Sequence, residues 1–116
     1  MLVLVVEDDE VSAQTASTIL EGMGCHVHLA SNGAEAVQLF SVESYSLVFM
    51  DWQMPVMDGM EATARMRRML RGRITPIVAT TTQMGLVECL AAGMDDLMPK
   101  PFTIENLKSM VVKWIG

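Results

Sequence analysis

Cysteine is scarce in this chain: Cys25 and Cys89 are the only two, and they form no metal-binding or redox spacing. Both fall in apolar stretches, so they read as small reduced core residues, which suits a cytoplasmic setting and leaves no disulfide framework. Basic residues are outnumbered, 8 against 14 acidic ones, for a net charge of −6. That balance argues against nucleic acid as the partner of this domain. No apolar run exceeds strand length, so no segment is long enough to enter and span a bilayer. Leu2 to Val6 is apolar, but Glu7-Asp8-Asp9-Glu10 follows at once, unlike a signal peptide. Linkers, repeats and low-complexity segments are also missing. What is abundant is apolar surface, at 51% of the residues, too much for a disordered tail. The 116 residues are enough for one core and too few for two, so a single domain over 1–116 is expected. The 12 methionines read as core filler.

Leu2-Val3-Leu4-Val5-Val6 is a continuous apolar run, as a parallel strand covered by helices on both faces requires. Ala13, Ala16, Leu20 and Met23 then recur at helical spacing, and Gly22 and Gly24 end that helix. Cys25-His26-Val27-His28-Leu29 alternates, predicting an edge strand with His26 and His28 on its wetter face. A histidine pair without a third ligand reads as solvated edge residues rather than a metal site. Ser31-Asn32-Gly33 turns into a helix with Ala36, Val37, Leu39 and Phe40 on its apolar side. Ser46 to Met50 is the third strand. Asp58-Gly59 opens a helix with Met60, Thr63, Met66 and Leu70 near one face. Its other side carries Arg65, Arg67, Arg68 and Arg71, with Arg73 beyond; these read as a solvated face, the alternative being a dock for an acidic partner. Ile77-Val78-Ala79-Thr80 is the fourth strand, Leu86 to Ala92 a short helix and Asp96-Leu97-Met98 the fifth strand. Thr103 caps a last helix that buries Leu107, Met110, Val111 and Trp114. Strict alternation of strand and helix means a parallel α/β sheet with right-handed crossovers.

Polar residues gather at the strand ends. The apolar run before Asp51 is followed by a stiff loop with Pro55 and the Asp58-Gly59 turn, and ligands of such sheets bind at the C-terminal tips. Glu7-Asp8 ends the first strand, Thr81 follows the fourth and Lys100 follows the fifth. All tips of a parallel sheet share one edge, so these residues converge. Three carboxylates together resist joint ionisation, and a hard divalent cation with oxygen ligands, Mg²⁺ before zinc, removes that conflict. Lys100 and the Thr81 hydroxyl then suit phosphoryl oxygens. Each part alone has a plainer explanation: an acidic helix start, a surface lysine, β-prone threonines. Their combination at strand tips does not.

The chain closely resembles the receiver domain of two-component response regulators from Leu2 to Trp114. The resemblance rests on Val5-Val6-Glu7-Asp8-Asp9, Met50-Asp51-Trp52-Gln53-Met54-Pro55-Val56-Met57-Asp58-Gly59, Thr81, Ala91-Ala92-Gly93-Met94-Asp95-Asp96 and Lys100-Pro101-Phe102. It implies a flavodoxin-like (βα)5 fold of strand order 2-1-3-4-5. It further implies that Asp51 accepts a phosphoryl group from a phosphohistidine of a histidine kinase or histidine phosphotransfer domain. On the same grounds Glu7, Asp8, Asp51 and the Gln53 carbonyl would hold Mg²⁺, Lys100 would pair with the acyl phosphate and Thr81 would swing to bond it. The Lys100-Pro101 bond would be cis. Phosphorylation would shift the fourth-helix, fifth-strand and fifth-helix face, through which the resemblance also allows a dimer. Receivers of hybrid sensor histidine kinases are the most similar in form. Both a stand-alone regulator and a domain of a larger protein remain open.

Three departures from the family pattern stand out. Leu97 occupies the position where many receivers carry a switching aromatic residue. The stretch from Thr81 to Cys89 is shorter than in similar sequences. Thr82, placed beside the phosphoryl site, stands where Ala or Gly is usual and is expected to narrow access for water. The domain is therefore expected to be a switch that accepts and slowly loses its own phosphoryl group, not an enzyme. Two alternatives are a Mg²⁺-dependent aspartyl-phosphate phosphatase, for which Gln53 offers no general acid, and a docking module independent of phosphorylation.

Overall fold

The structure, a computed structural model, describes residues 1–52, 54, 56–69, 72, 74–81 and 85–116. The alternation expected from the sequence is present: β1 (Leu2–Val6), α1 (Glu10–Gly22), β2 (His26–Ala30), α2 (Gly33–Val42), β3 (Leu47–Asp51), α3 (Gly59–Arg67), β4 (Ile77–Thr81), α4 (Leu86–Ala91), β5 (Asp96–Pro99) and α5 (Ile104–Trp114). The sheet is parallel throughout, in the order β2-β1-β3-β4-β5. Return connections through helices force this arrangement, because a parallel neighbour cannot be reached by a tight hairpin.

Continuous apolar strands bury both faces, and each face has its own core. Leu4, Val6, Val48, Met50, Ile77 and Ala79 face Ala36 and Phe40 of α2, Ala62 and Met66 of α3 and Cys89 of α4. Val3, Val5, Leu47, Phe49, Val78 and Met98 face Ala16 and Leu20 of α1 and Leu107 of α5. Side chains alternate across a strand, so consecutive residues of β1 serve opposite layers. Helices α1, α2, α3 and α5 start at residues whose side chains accept a backbone N–H: Asp9 from Ser12, Asn32 from Glu35, Asp58 from Glu61 and Thr103 from Asn106.

The structure corrects several expectations. Cys25 precedes β2 rather than opening it: its N–H bonds to the Leu20 carbonyl, finishing the α1 turn, and its side chain is buried. The edge strand is wet on both faces, with His26 and Leu29 exposed. His28 is half-buried rather than fully solvated, and its Nδ1 lies 2.8 Å from the Tyr45 hydroxyl. On α3, Met60 is exposed and Ala62 takes the core position beside Thr63 and Met66, because the helix turns its small residue toward α2. Only Leu107 of the α5 stripe is fully buried, and Met110, Val111 and Trp114 are half-buried at the rim.

The arginine face of α3 also differs. Arg65 pairs with Glu61 in solvent, but Arg67 is engaged on all sides at the N-terminal edge of the sheet. It donates to the carbonyls of Gly93 (2.8 Å), Gly72 (2.6 Å) and Thr75 (2.7 Å) and to the Asp95 carboxylate (2.7 Å). Asp95 in turn accepts the N–H of Ile77, the first residue of β4. Leu70, Arg71 and Arg73 lie outside the described residues.

Candidate functional site

Strand ends determine what converges. β1 delivers Glu7, whose N–H bonds to the Ala30 carbonyl at the end of β2. The chain then exposes Asp8 and caps α1 with Asp9. β3 ends in Asp51, which is 4% exposed. The following loop passes so near the strand end that a Cβ on Gly59 would lie 2.2 Å from the Asp51 carbonyl oxygen, so only glycine fits there. Val56 in this loop has φ 71, a left-handed conformation uncommon for a β-branched residue. β4 places Thr81 at its tip, and the Lys100 N–H bonds to the Thr81 carbonyl at 3.2 Å, which fixes the start of the lysine. The Lys100–Pro101 peptide is cis.

A cavity of about 250 Å³ results, lined by Glu7, Asp8, Asp9, Ser12, Asp51, Thr81 and Lys100. Glu7, Asp8 and Asp51 each present a carboxylate oxygen within 4.8 Å of the others. Lys100 Nζ lies 2.7 Å from Glu7 Oε2 and 3.2 Å from Asp51 Oδ2. Burial, then the charge of Glu7, pushes Asp51 up to about 6, with Lys100 opposing the rise. Burial alone would lower Lys100, but its bond to Glu7 and the charge of Asp51 outweigh this and raise it. The donor set therefore fits a divalent cation: three carboxylate oxygens, no soft ligand, and more negative charge than one ammonium offsets. Chemically, the site offers a buried carboxylate, further carboxylate oxygens of the kind that suit a hard cation, and an ammonium held beside them.

Five site residues named from the sequence, Glu7, Asp8, Asp51, Thr81 and Lys100, are brought together here. Gln53 and Thr82, expected to supply a metal-binding carbonyl and to flank the phosphoryl site, lie outside the described residues. The pairing of Lys100 with Glu7 was not anticipated, since contacts across the strand tips leave no trace in local spacing. Thr80 was also passed over: it pairs with Asp51 across β3 and β4, and its buried hydroxyl has no hydrogen-bond partner among the described residues.

The sheet order and the acid-and-lysine cluster at its C-terminal edge define a flavodoxin-like α/β domain with its site at the strand tips. The family model for the response regulator receiver domain matches residues 3–112, and the chain belongs to that family. Its members are two-component signalling switches rather than classical enzymes. The chain is 38% identical, over 97% of its length, to hybrid signal transduction histidine kinase G of Dictyostelium discoideum, of which it covers 3%. The receiver domain of the sensor histidine kinase PA1611 from Pseudomonas aeruginosa, solved with magnesium in its active-site cleft, superposes with a TM-score of 0.92 at 36% identity, covering 99% of this chain and 97% of that one. The receiver of Ssk1 from Saccharomyces cerevisiae, solved with the histidine phosphotransfer protein Ypd1, gives 0.89 at 28% identity, covering 98% and 88%. The chain spans no more than 18% of the length of the first curated relatives it matches. Among the described residues, no helix is long and apolar enough to cross a membrane.

Proposed function

We propose that the chain is a phosphoacceptor switch in which Asp51 takes a phosphoryl group from a phosphohistidine on a histidine kinase or histidine phosphotransfer partner. The observation that carries this reading is the buried carboxylate of Asp51 at the end of β3, set beside buried Glu7, exposed Asp8 and the Lys100 ammonium at the sheet edge. Glu7, Asp8 and Asp51 would hold Mg²⁺, with the Gln53 carbonyl completing the set. Bound there, Mg²⁺ supplies charge neutralisation for the acids and for phosphoryl oxygens. Asp51 attacks phosphorus through a carboxylate oxygen as the P–N bond to the partner's ring-protonated phosphohistidine breaks; the ring keeps its proton and leaves as neutral imidazole, and an acyl phosphate remains on Asp51. Lys100 neutralises the new charge, and Thr81 donates its hydroxyl to a phosphoryl oxygen. Thr82, next to Thr81 in the sequence, would limit access for water and slow hydrolysis.

The signal would be read at α4, β5 and α5. Leu97, half-buried against the α2–α3–α4 core, takes the place of an aromatic reporter, so movement of the Thr81 loop is relayed by packing rather than by a ring flip. A groove of about 830 Å³ runs from Glu7 and Asp8 along α1 to Leu29, leaving room beside the site for the phosphoryl donor to approach. The magnesium-bound PA1611 receiver and the Ypd1-bound Ssk1 receiver support the cofactor and the partner class. Two buried thiols fit a cytoplasmic location. A receiver within a hybrid histidine kinase is the parent architecture most in keeping with the relatives.

The test is labelling by acetyl phosphate with Mg²⁺, followed by mass mapping. Wild type should gain one phosphoryl group on Asp51, and Asp51→Asn should gain none. Equal labelling of the two proteins would sink the assignment.

A further inference from the structure

Thr80 is a polar residue in the buried part of β4, where Ile77, Val78 and Ala79 are apolar. It is 0% exposed, and its Oγ1 has no hydrogen-bond partner among the described residues. A buried hydroxyl without a partner costs stability, a cost that valine, of the same shape, would avoid. The register shows what lies beside it: Asp51 of β3 on one side and Met98 of β5 on the other. Side chains alternate along a strand, so Thr80 shares a sheet face with Val78, and Asp51 shares that face with Phe49. Among Phe49, Val78, Met98 and Asp51, only the Asp51 side chain carries an oxygen. The Trp52 N–H bonds to the Thr80 carbonyl at 3.4 Å, which ties the chain just after Asp51 to Thr80. Adjacent strands lie about 4.8 Å apart, a gap that a rotated hydroxyl and a carboxylate oxygen can close to hydrogen-bond distance. Lys100 lies against Asp51 Oδ2, which leaves Oδ1 as the acceptor.

We infer that Thr80 is a positioning residue for the phosphoacceptor: in the reacting protein its hydroxyl donates to Asp51 Oδ1 and holds the carboxylate while the other oxygen attacks. This rests on the phosphoacceptor reading of the site and adds a residue to it. The bond is absent at rest and forms when the carboxylate turns toward phosphorus. An interaction made only along the reaction speeds the step instead of tightening ground-state binding. No proton changes hands: Thr80 keeps its hydrogen, and the new P–O bond forms at the Asp51 oxygen that Thr80 does not touch. Thr81 plays a separate part, because it lines the cavity at the strand tip whereas Thr80 is enclosed one residue earlier.

Two variants test this: Thr80→Val removes the hydroxyl at constant shape, and Thr80→Ser keeps it. Each is compared with wild type by thermal melting in chelator and by the rate of acetyl phosphate labelling at saturating Mg²⁺. Thr80→Val should melt at or above the wild-type temperature, because an unpaired buried hydroxyl has gone. It should nevertheless label about tenfold more slowly, the order of one hydrogen bond to a charged group. Thr80→Ser should label within about threefold of wild type, a rescue that a merely space-filling role would not give. Labelling of Thr80→Val at the wild-type rate overturns the proposal, and so does equal slowing of both variants. A lower melting temperature for Thr80→Val also overturns it, since the hydroxyl would then have a partner at rest. Mass mapping of the wild-type label separates the two ideas. Label on Asp51 at equal rates in wild type and Thr80→Val removes the role of Thr80 alone; no label on Asp51 removes the phosphoacceptor reading itself.

Discussion

At the N-terminal edge of the sheet Arg67 meets Asp95, and at the C-terminal edge Lys100 meets Glu7 and Asp51 with Asp8 nearby. Both cationic side chains are 21% exposed, so burial does not distinguish the two places. Partner balance does. Arg67 donates to one carboxylate and three carbonyls, and the carboxylate also receives a strand N–H, so the cluster closes on itself. Lys100 faces three carboxylates and neutralises only one unit of their charge. A closed polar cluster stabilises a fold, whereas an unbalanced one costs stability and keeps affinity for a ligand. The first joins α3 to the starts of β4 and β5; the second is left for chemistry.

If this contrast holds, breaking the closed cluster has the largest effect. Arg67→Ala leaves Asp95 without its charge partner and three carbonyls without their donor, and should cost about 3 kcal/mol in urea unfolding. Arg67→Lys should recover only part of that, because an ammonium cannot reproduce the planar fork. A loss below about 1 kcal/mol for Arg67→Ala would show that the cluster is decorative.

The open cluster should respond with the opposite sign. Asp51 is pushed up to about 6 by burial and then by Glu7, so the folded protein holds its proton more tightly than the unfolded chain does. Stability contributed by this group therefore falls as pH rises from 3.8 to about 6. Asp51→Asn removes the conflict and should stabilise the metal-free protein at pH 7 by on the order of 2 kcal/mol, with a smaller gain at pH 5. Destabilisation by Asp51→Asn in chelator would contradict the imbalance.

The smallest effect is expected at Asp96, the first residue of β5. Burial opposes its ionisation, but bonds from Lys113, the Leu97 N–H and Trp114 win and hold it below the usual carboxylate value. Its contribution is present above pH 3.8 and is lost as pH falls through the lower folded value. Lys113 is 59% exposed, so solvent screens most of the pair, and Asp96→Asn should cost about 1 kcal/mol or less at neutral pH. Acid titration of both proteins should show the difference vanish below that range.

The central strands were legible because residues buried on both faces must be apolar without interruption, as in Val3-Leu4-Val5-Val6 and Leu47-Val48-Phe49-Met50. The convergence of Glu7, Asp8, Asp51, Thr81 and Lys100 was legible too, since parallel strands put every C-terminal tip on one edge. The role of Arg67 was not. Three of its acceptors are backbone carbonyls, which every residue has, so a half-buried arginine there looks the same in sequence as the solvated Arg65. His28 escaped for a similar reason: its partner Tyr45 sits seventeen positions away, just before β3. Edge strand β2 began one residue later than the alternation suggested, because Cys25 is spent on closing the α1 turn.

The most direct test of the comparison is thermal unfolding of wild type in chelator and in saturating Mg²⁺, with Arg67→Lys as the reference for the closed edge. Excess negative charge at Glu7, Asp8 and Asp51 predicts a clear rise in Tm with Mg²⁺ in both proteins, by linkage to the folded state. It also predicts that the rise is lost in Asp51→Asn. No Mg²⁺-dependent rise in wild type, or an undiminished rise in Asp51→Asn, would contradict the claim that this edge is the one kept unbalanced for a ligand.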